Sequence, residues 1–129
     1  MFFTCIIILS IGQERILKLI ELAYFTDNVQ QMAVFYRSLL ETEPVAASDD
    51  MAIFMNGETK IFIHRSYGPR EGELPPENHT AFAVEDVDKT CESLTKQGLT
   101  VEIPPKDYYW GRSAYLRNPD GHLIEITKA

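Results

Sequence analysis

Thiols, basic charge and long apolar runs are all scarce in this chain, and each scarcity removes a class of protein. Only 2 of the 129 residues are cysteine. Cys5 and Cys91 lie far apart, in neither a CxxC pair nor zinc-ligand spacing, which leaves no basis for a disulfide scaffold or a thiolate metal site. They read as reduced thiols, with Cys91 a small hydrophobe in the apolar phase of a helix, and a cytoplasmic location is the matching expectation. Lysine and arginine number 12 against 19 acidic residues, a formal charge of −7. Arg65, Arg70, Arg112 and Arg117 are scattered among acids and form no stripe, so a nucleic-acid partner is excluded. The apolar run from Met1 to Ile11 lacks a basic n-region and a clear cleavage site and is too short to span a bilayer, so no membrane partner is expected. It reads as an N-terminal extension over residues 1–16 that needs a sheet edge or a second copy of the chain to cover it. A true start lying somewhat later would also account for it.

What remains is the composition of one ordinary domain, 45% hydrophobic and 11% aromatic, enough for a packed core. Within it lies an internal echo. Glu21-Leu-Ala-Tyr-Phe-Thr-Asp27-Asn-Val29 aligns without a gap on His79-Thr-Ala-Phe-Ala-Val-Glu85-Asp-Val87. Each copy is an alternating run that breaks at an acidic pair and passes into a helical pattern, and each begins with a side chain able to bind a metal. A repeat of roughly fifty residues built this way implies two equivalent half-sheets facing one shared cavity.

The pattern predicts a strand over Leu17 to Phe25, then a helix capped by Asp27 with apolar positions Val29, Met32, Ala33, Phe35, Tyr36, Leu39 and Leu40. Strands follow at Glu43 to Ala47, Asp50 to Met55 and Lys60 to Arg65, with Asn56-Gly57 as a hairpin turn. Residues 67–78, rich in glycine and proline, form a linker between a first module over 17–66 and a second over 79–128. The second module opens on a strand at His79. Asp86 or Asp88 caps its helix, and Val87, Cys91, Leu94 and Leu99 supply the helix's apolar positions, with Gly98 as the helix stop. Strands near Thr100 to Ile103, Ser113 to Arg117 and His122 to Thr127 complete it, the last two joined by an Asn118-Pro119-Asp120-Gly121 turn. Both modules read βαβββ, an α+β fold.

HTAFAVEDVD, the Pro104-Pro105 followed by Trp110-Gly111-Arg112, and above all RNPDGHLIEI resemble the second module of the vicinal oxygen chelate superfamily. That superfamily comprises glyoxalase, bleomycin and fosfomycin resistance proteins, methylmalonyl-CoA epimerase and extradiol dioxygenases. The likeness runs over about residues 17 to 128, and YFTDNVQQMAVFYRSLL fits the first module. It implies a pair of βαβββ modules forming an incomplete barrel around a shared pocket, a divalent metal (Zn, Ni, Mn, Fe or Co), a small-molecule ligand or substrate, and a homodimer. Carried over position by position, it places metal ligands at His79 and Glu125. The first-module ligand position falls on Glu21, which also serves as the candidate general base. The remaining position falls on Phe62, which cannot coordinate, and His64 on the same strand face is the substitute.

One imidazole and two carboxylates suit a borderline-to-hard divalent ion with open positions for substrate oxygens. Tyr108, Trp110 and Arg112, with Phe62, are the expected substrate-binding surface: stacking rings beside a cation. Two functions follow. One is a metal-dependent lyase, isomerase or dioxygenase acting on a small oxygenated metabolite; the other is a metal-free protein that sequesters an antibiotic or metabolite. Retained His79 and Glu125 speak for the first, and Phe62 in a ligand slot for the second.

Overall fold

A computed structural model describes residues 16–68 and 76–129. The expectations for the apolar N-terminal run and for the middle of the linker lie outside these residues. The order of elements is β1 (Lys18–Thr26), α1 (Val29–Leu40), β2 (Ala46–Ala47), β3 (Met51–Asn56), β4 (Thr59–Arg65), β5 (His79–Val84), α2 (Val87–Lys96), β6 (Val101–Tyr108), β7 (Gly111–Arg117) and β8 (Leu123–Lys128). This is βαβββ twice. Among the described residues the eight strands form one mixed sheet in the order β2-β3-β4-β1-β5-β8-β7-β6, with β2 and β6 as its edges, and the barrel is incomplete.

Strand alternation divides the side chains between two faces. On one face Ala52, Phe54, Ile61 and Ile63 pack with Val29 and with Tyr24, Met32, Ala33, Tyr36 and Leu40 under α1. The corresponding set, Val84, Ala114, Leu116 and Ile126, packs with Val87, Cys91 and Leu94 under α2. Both helices thus cover the same face. The opposite face carries Glu21 and Ala23, Phe62 and His64, His79 and Ala81, Leu123 and Glu125, and Ser113 and Tyr115.

The helix limits depart from the expectation at two points: α1 starts one residue later, and α2 ends at Lys96, so Leu99, expected among its apolar positions, lies beyond the helix and is 45% exposed. Asp86 caps α2 by accepting from the Lys89 N–H at 3.0 Å. Its C-terminus closes with Leu99 N–H donating to the Leu94 carbonyl and Gly98 N–H to that of Thr95, Gly98 standing at φ 92° where only glycine is unstrained. At α1 the cap is Asn28 instead of the expected Asp27, and its side chain makes no capping bond. Of the seven apolar positions expected on α1, Phe35 and Leu39 are exposed, at 57% and 62%. The stripe that meets β3 and β4 is narrower than the run of apolar residues.

Two further expectations are corrected. The strand expected over Glu43 to Ala47 is only Ala46–Ala47, an edge pairing with β3. β6 continues through Pro104 and Pro105 to Tyr108, because it is an edge strand and its register with β7 shifts between Ile103 and Lys106. The missing proline N–H groups therefore leave no ladder bond broken.

Candidate metal centre

The site is assembled by register. Glu21 pairs with Ala81 across β1 and β5, Ala81 with Glu125 across β5 and β8, and Glu125 with Tyr115 across β8 and β7. These four side chains form one row on one face, and the methyl of Ala81 leaves a hollow over which the carboxylates of Glu21 and Glu125 converge. The neighbouring row runs Phe62, Ala23, His79, Leu123, Arg117. His79 leans from it toward the first row. Ligand atoms of Glu21, His79 and Glu125 all lie within 4.8 Å of one another. His79 Nε2 is 3.4 Å from Glu125 Oε1 and 3.8 Å from Glu21 Oε1.

The orientation of each group is fixed by what surrounds it. His79 Nδ1 lies 2.9 Å from the carbonyl of Glu77. A carbonyl only accepts, so Nδ1 carries a proton, and in the neutral ring Nε2 holds the lone pair and faces the carboxylates. That Nε2 is buried and has no hydrogen-bond partner among the described residues. A buried polar atom left this way is costly, unless a charged group occupies the space before it.

Glu125 is nearly buried, and one of its oxygens is saturated. Oε2 accepts from Ser113 Oγ at 2.8 Å, from Trp110 Nε1 at 3.2 Å and from Tyr115 OH at 3.2 Å. Oε1 is thereby left to face His79 and Glu21. Burial opposes the charge on Glu125, but His79, Ser113 and Tyr115 outweigh it and hold its pKa below the usual carboxylate value. Burial and the Glu125 charge push Glu21 the other way, upward, against Lys60 Nζ 3.8 Å from its Oε2. His79 is raised: burial disfavours its charge, yet Glu125, the Glu77 carbonyl and Glu21 prevail.

The remaining expected residues fall in different places. His64 is outside this cluster. Its Nδ1 bonds the Arg65 carbonyl at 2.8 Å and its ring sits among Phe25, Phe62 and Tyr67, with centroids 5.6–5.9 Å away. The reason is register: His64 pairs with Phe25, two residues beyond Ala23 and four beyond Glu21 on β1. Phe62 shares the face and the row of His79. Tyr108 stacks on Trp110 with centroids 4.4 Å apart and planes 10° from parallel, so both rings flank the Glu125 side. Arg112 is held away from the face, bidentate to Asp88 at 2.6 and 2.9 Å and bonded to Asp107 at 3.0 Å. That geometry ties the β6–β7 hairpin to α2.

The sequence reading missed Ser113, Tyr115 as a donor, Ala81 and the Glu77 carbonyl. Parity offered the first two, since Ser113 and Tyr115 alternate on β7 as Glu125 and Thr127 do on β8. The pairing that sets them opposite one another is not written locally.

A family model for the Glyoxalase/Bleomycin resistance protein/Dioxygenase superfamily matches residues 18–126. The uncharacterized protein YraH of Bacillus subtilis is 32% identical over 126 residues, 87% of this chain and 98% of its own length. The phenazine antibiotic resistance protein EhpR of Enterobacter agglomerans is 30% identical, covering 79% of this chain and 84% of its own. The metallothiol transferase FosB of Shouchella clausii is 24% identical, over 81% and 75% respectively. Among solved structures, methylmalonyl-CoA epimerase from Mycobacterium tuberculosis superposes with a TM-score of 0.60 at 17% identity, over 85% of this chain and 86% of its own, a likeness of fold. The repeated βαβββ order, the open sheet and the extent of these matches lead to one conclusion: this chain belongs to the Glyoxalase/Bleomycin resistance protein/Dioxygenase superfamily.

Proposed function

We propose that the chain is a metal-dependent enzyme, a lyase, isomerase or dioxygenase acting on a small oxygenated substrate, with the cation held by Glu21, His79 and Glu125. The observation that carries this reading is the buried His79 Nε2, which lies between two carboxylates with no hydrogen-bond partner among the described residues while Nδ1 is bonded to the Glu77 carbonyl. The donor set fits a divalent ion of the Zn, Ni, Mn, Fe or Co class, and three protein ligands leave positions for substrate. A bound cation of this class supplies Lewis acidity to two adjacent substrate oxygens.

The chain's own residues do the rest. Ser113, Trp110 and Tyr115 fix Glu125 so that no ligand reorganisation is required when charge develops nearby. Glu21, half-buried and with a raised pKa, is the group best placed to take or return a proton, exchanging its place as ligand for the role of base. Phe62, in the row of His79, and the stacked Tyr108–Trp110 pair supply apolar walls for a substrate. A homodimer suits the apolar residues exposed on α1, Val34, Phe35 and Leu39, and the buried free thiol of Cys91 suits the cytoplasm. Division into modules over 17–66 and 79–128 follows the repeat.

A second reading, metal-free sequestration of a planar ligand, is supported by the stacked Tyr108–Trp110 pair and by the likeness to a phenazine resistance protein. The test is a panel of small molecules bearing adjacent oxygens, incubated with chelator-treated protein with and without each divalent ion. Turnover that requires an ion and is lost in Glu21→Gln upholds the enzyme. No turnover, together with tight metal-independent binding of planar aromatics that quenches Trp110, upholds sequestration.

A further inference from the structure

His79 is the first residue of β5, and the carbonyl that holds its Nδ1 proton belongs to Glu77, two residues before the strand begins. Among the described residues no sheet ladder fixes that peptide. Asn78 is secured from one side, its Oδ1 accepting from the Phe25 N–H at 2.8 Å. Glu77 is secured from the other by Arg117, at the end of β7. Arg117 Nη1 donates to Glu77 Oε2 at 2.9 Å and Nη2 to Oε1 at 2.7 Å, a parallel two-bond clamp.

The sheet register explains the reach. Arg117 pairs with Leu123, and Leu123 with His79, so the guanidinium starts in the same row as the imidazole and crosses to Glu77, two residues before it. Glu102, 2.8 Å from Arg117 Nε, and the Gly121 carbonyl, 3.0 Å from Nη1, seat the guanidinium on its own side.

We infer that Glu77 and Arg117 are positioning residues of the metal centre. Their clamp fixes the Glu77 carbonyl, the carbonyl keeps the proton on His79 Nδ1, and Nε2 is thereby committed as the ligand atom. The consequence for metal rests on the enzyme reading above; the consequence for the tautomer does not. Both side chains are about one-third to two-fifths exposed, at 34% and 42%, so a surface ion pair here adds little to stability. A purely structural role therefore gives Glu77→Gln and Arg117→Lys nearly wild-type behaviour. Lysine keeps the charge and loses the fork, which separates the clamp from simple attraction.

The experiment uses chelator-treated full chain titrated with Co2+, followed by calorimetry and visible absorption. Alongside it runs nitrogen NMR of the His79 ring in the metal-free protein, at a pH where the ring is neutral. The expected result is a single Nδ1–H tautomer in the wild type and a mixture in both variants. Co2+ affinity should fall about tenfold in each, with circular dichroism and melting close to wild type. Glu43→Gln, which breaks an exposed ion pair with Arg37 in the first module, should leave tautomer and affinity alone. If the wild type binds no Co2+, the enzyme reading falls, and the tautomer alone decides the clamp. An unmixed Nδ1–H tautomer in Glu77→Gln and Arg117→Lys, or the same change in Glu43→Gln, overturns it.

Discussion

Glu21 and Glu125 face one another across Ala81, each the register partner of that alanine on its own side. The small side chain between them is what allows two carboxylates from different modules to approach one point. The same arrangement recurs one row away, where Ala23 separates Phe62 from His79.

Filling the hollow should abolish metal binding and spare the fold. Ala81→Leu places three extra carbons at a site 1% exposed, and overpacking of this kind costs about 1–3 kcal/mol. Metal content should fall to background while the far-ultraviolet circular dichroism stays that of the wild type. Full metal occupancy in Ala81→Leu contradicts the row geometry.

Tyr115→Phe removes one of three donors from Glu125 Oε2 while keeping the ring. Burial, then the charge of Glu125, raise the Tyr115 phenol far above its ordinary range, so it remains a donor throughout the accessible pH. Metal affinity should weaken about tenfold, the usual consequence of losing a group that orients a ligand. Calorimetric titration measures it. An unchanged affinity means that Ser113 and Trp110 suffice to hold the carboxylate.

These positions differ in how legible they were. Glu21, His79 and Glu125 stood out because each is polar inside an apolar alternating run, and because the internal repeat aligned the first two. The βαβββ order was readable for the same reason, from periodicity changing at acidic caps. Arg112 looked like a free cation beside aromatic rings, since nothing local reveals that α2 delivers Asp88 to it. His64 looked interchangeable with Phe62 because face is set by parity, whereas depth along the face is set by pairing with β1. Ser113, Ala81 and the Glu77 carbonyl gain their roles only through cross-strand register, which one strand's sequence does not contain.

The metal-free protein should lose stability as pH rises. His79 is held above its ordinary 6.5 despite burial, by Glu125, the Glu77 carbonyl and Glu21. The folded state thus keeps a proton that the unfolded chain releases. Its stabilisation is complete below about pH 6.5 and is lost as pH climbs through the folded value. Glu21, raised above 4.5, acts with the same sign from lower pH, and Glu125, held below 4.5, acts with the opposite sign, losing its contribution as pH falls. The melting temperature of chelator-treated protein should therefore decline above about pH 6.5, and His79→Gln should flatten that decline. Adding metal should reverse it, since the ion takes the neutral imidazole. A decline as steep in His79→Gln as in the wild type would contradict this assignment.

Phe62 occupies, across Ala23 from His79, the place that Glu125 holds across Ala81 from Glu21. Phe62→Glu should supply a fourth oxygen donor and tighten Mn2+ or Co2+ binding by at least about tenfold. It should also lower the melting temperature of the metal-free protein, because a third carboxylate then joins two others without a counter-charge. Affinity unchanged from the wild type would place Phe62 beyond reach of the ion.

The most direct measurement is the metal content, by elemental analysis, of protein purified without chelator, beside His79→Ala prepared identically. One divalent ion per chain in the wild type, absent from a folded His79→Ala, is the expected result. A wild-type protein that carries no metal and takes up none from Mn2+, Co2+, Ni2+ or Zn2+ would contradict the assignment of Glu21, His79 and Glu125 as a metal centre.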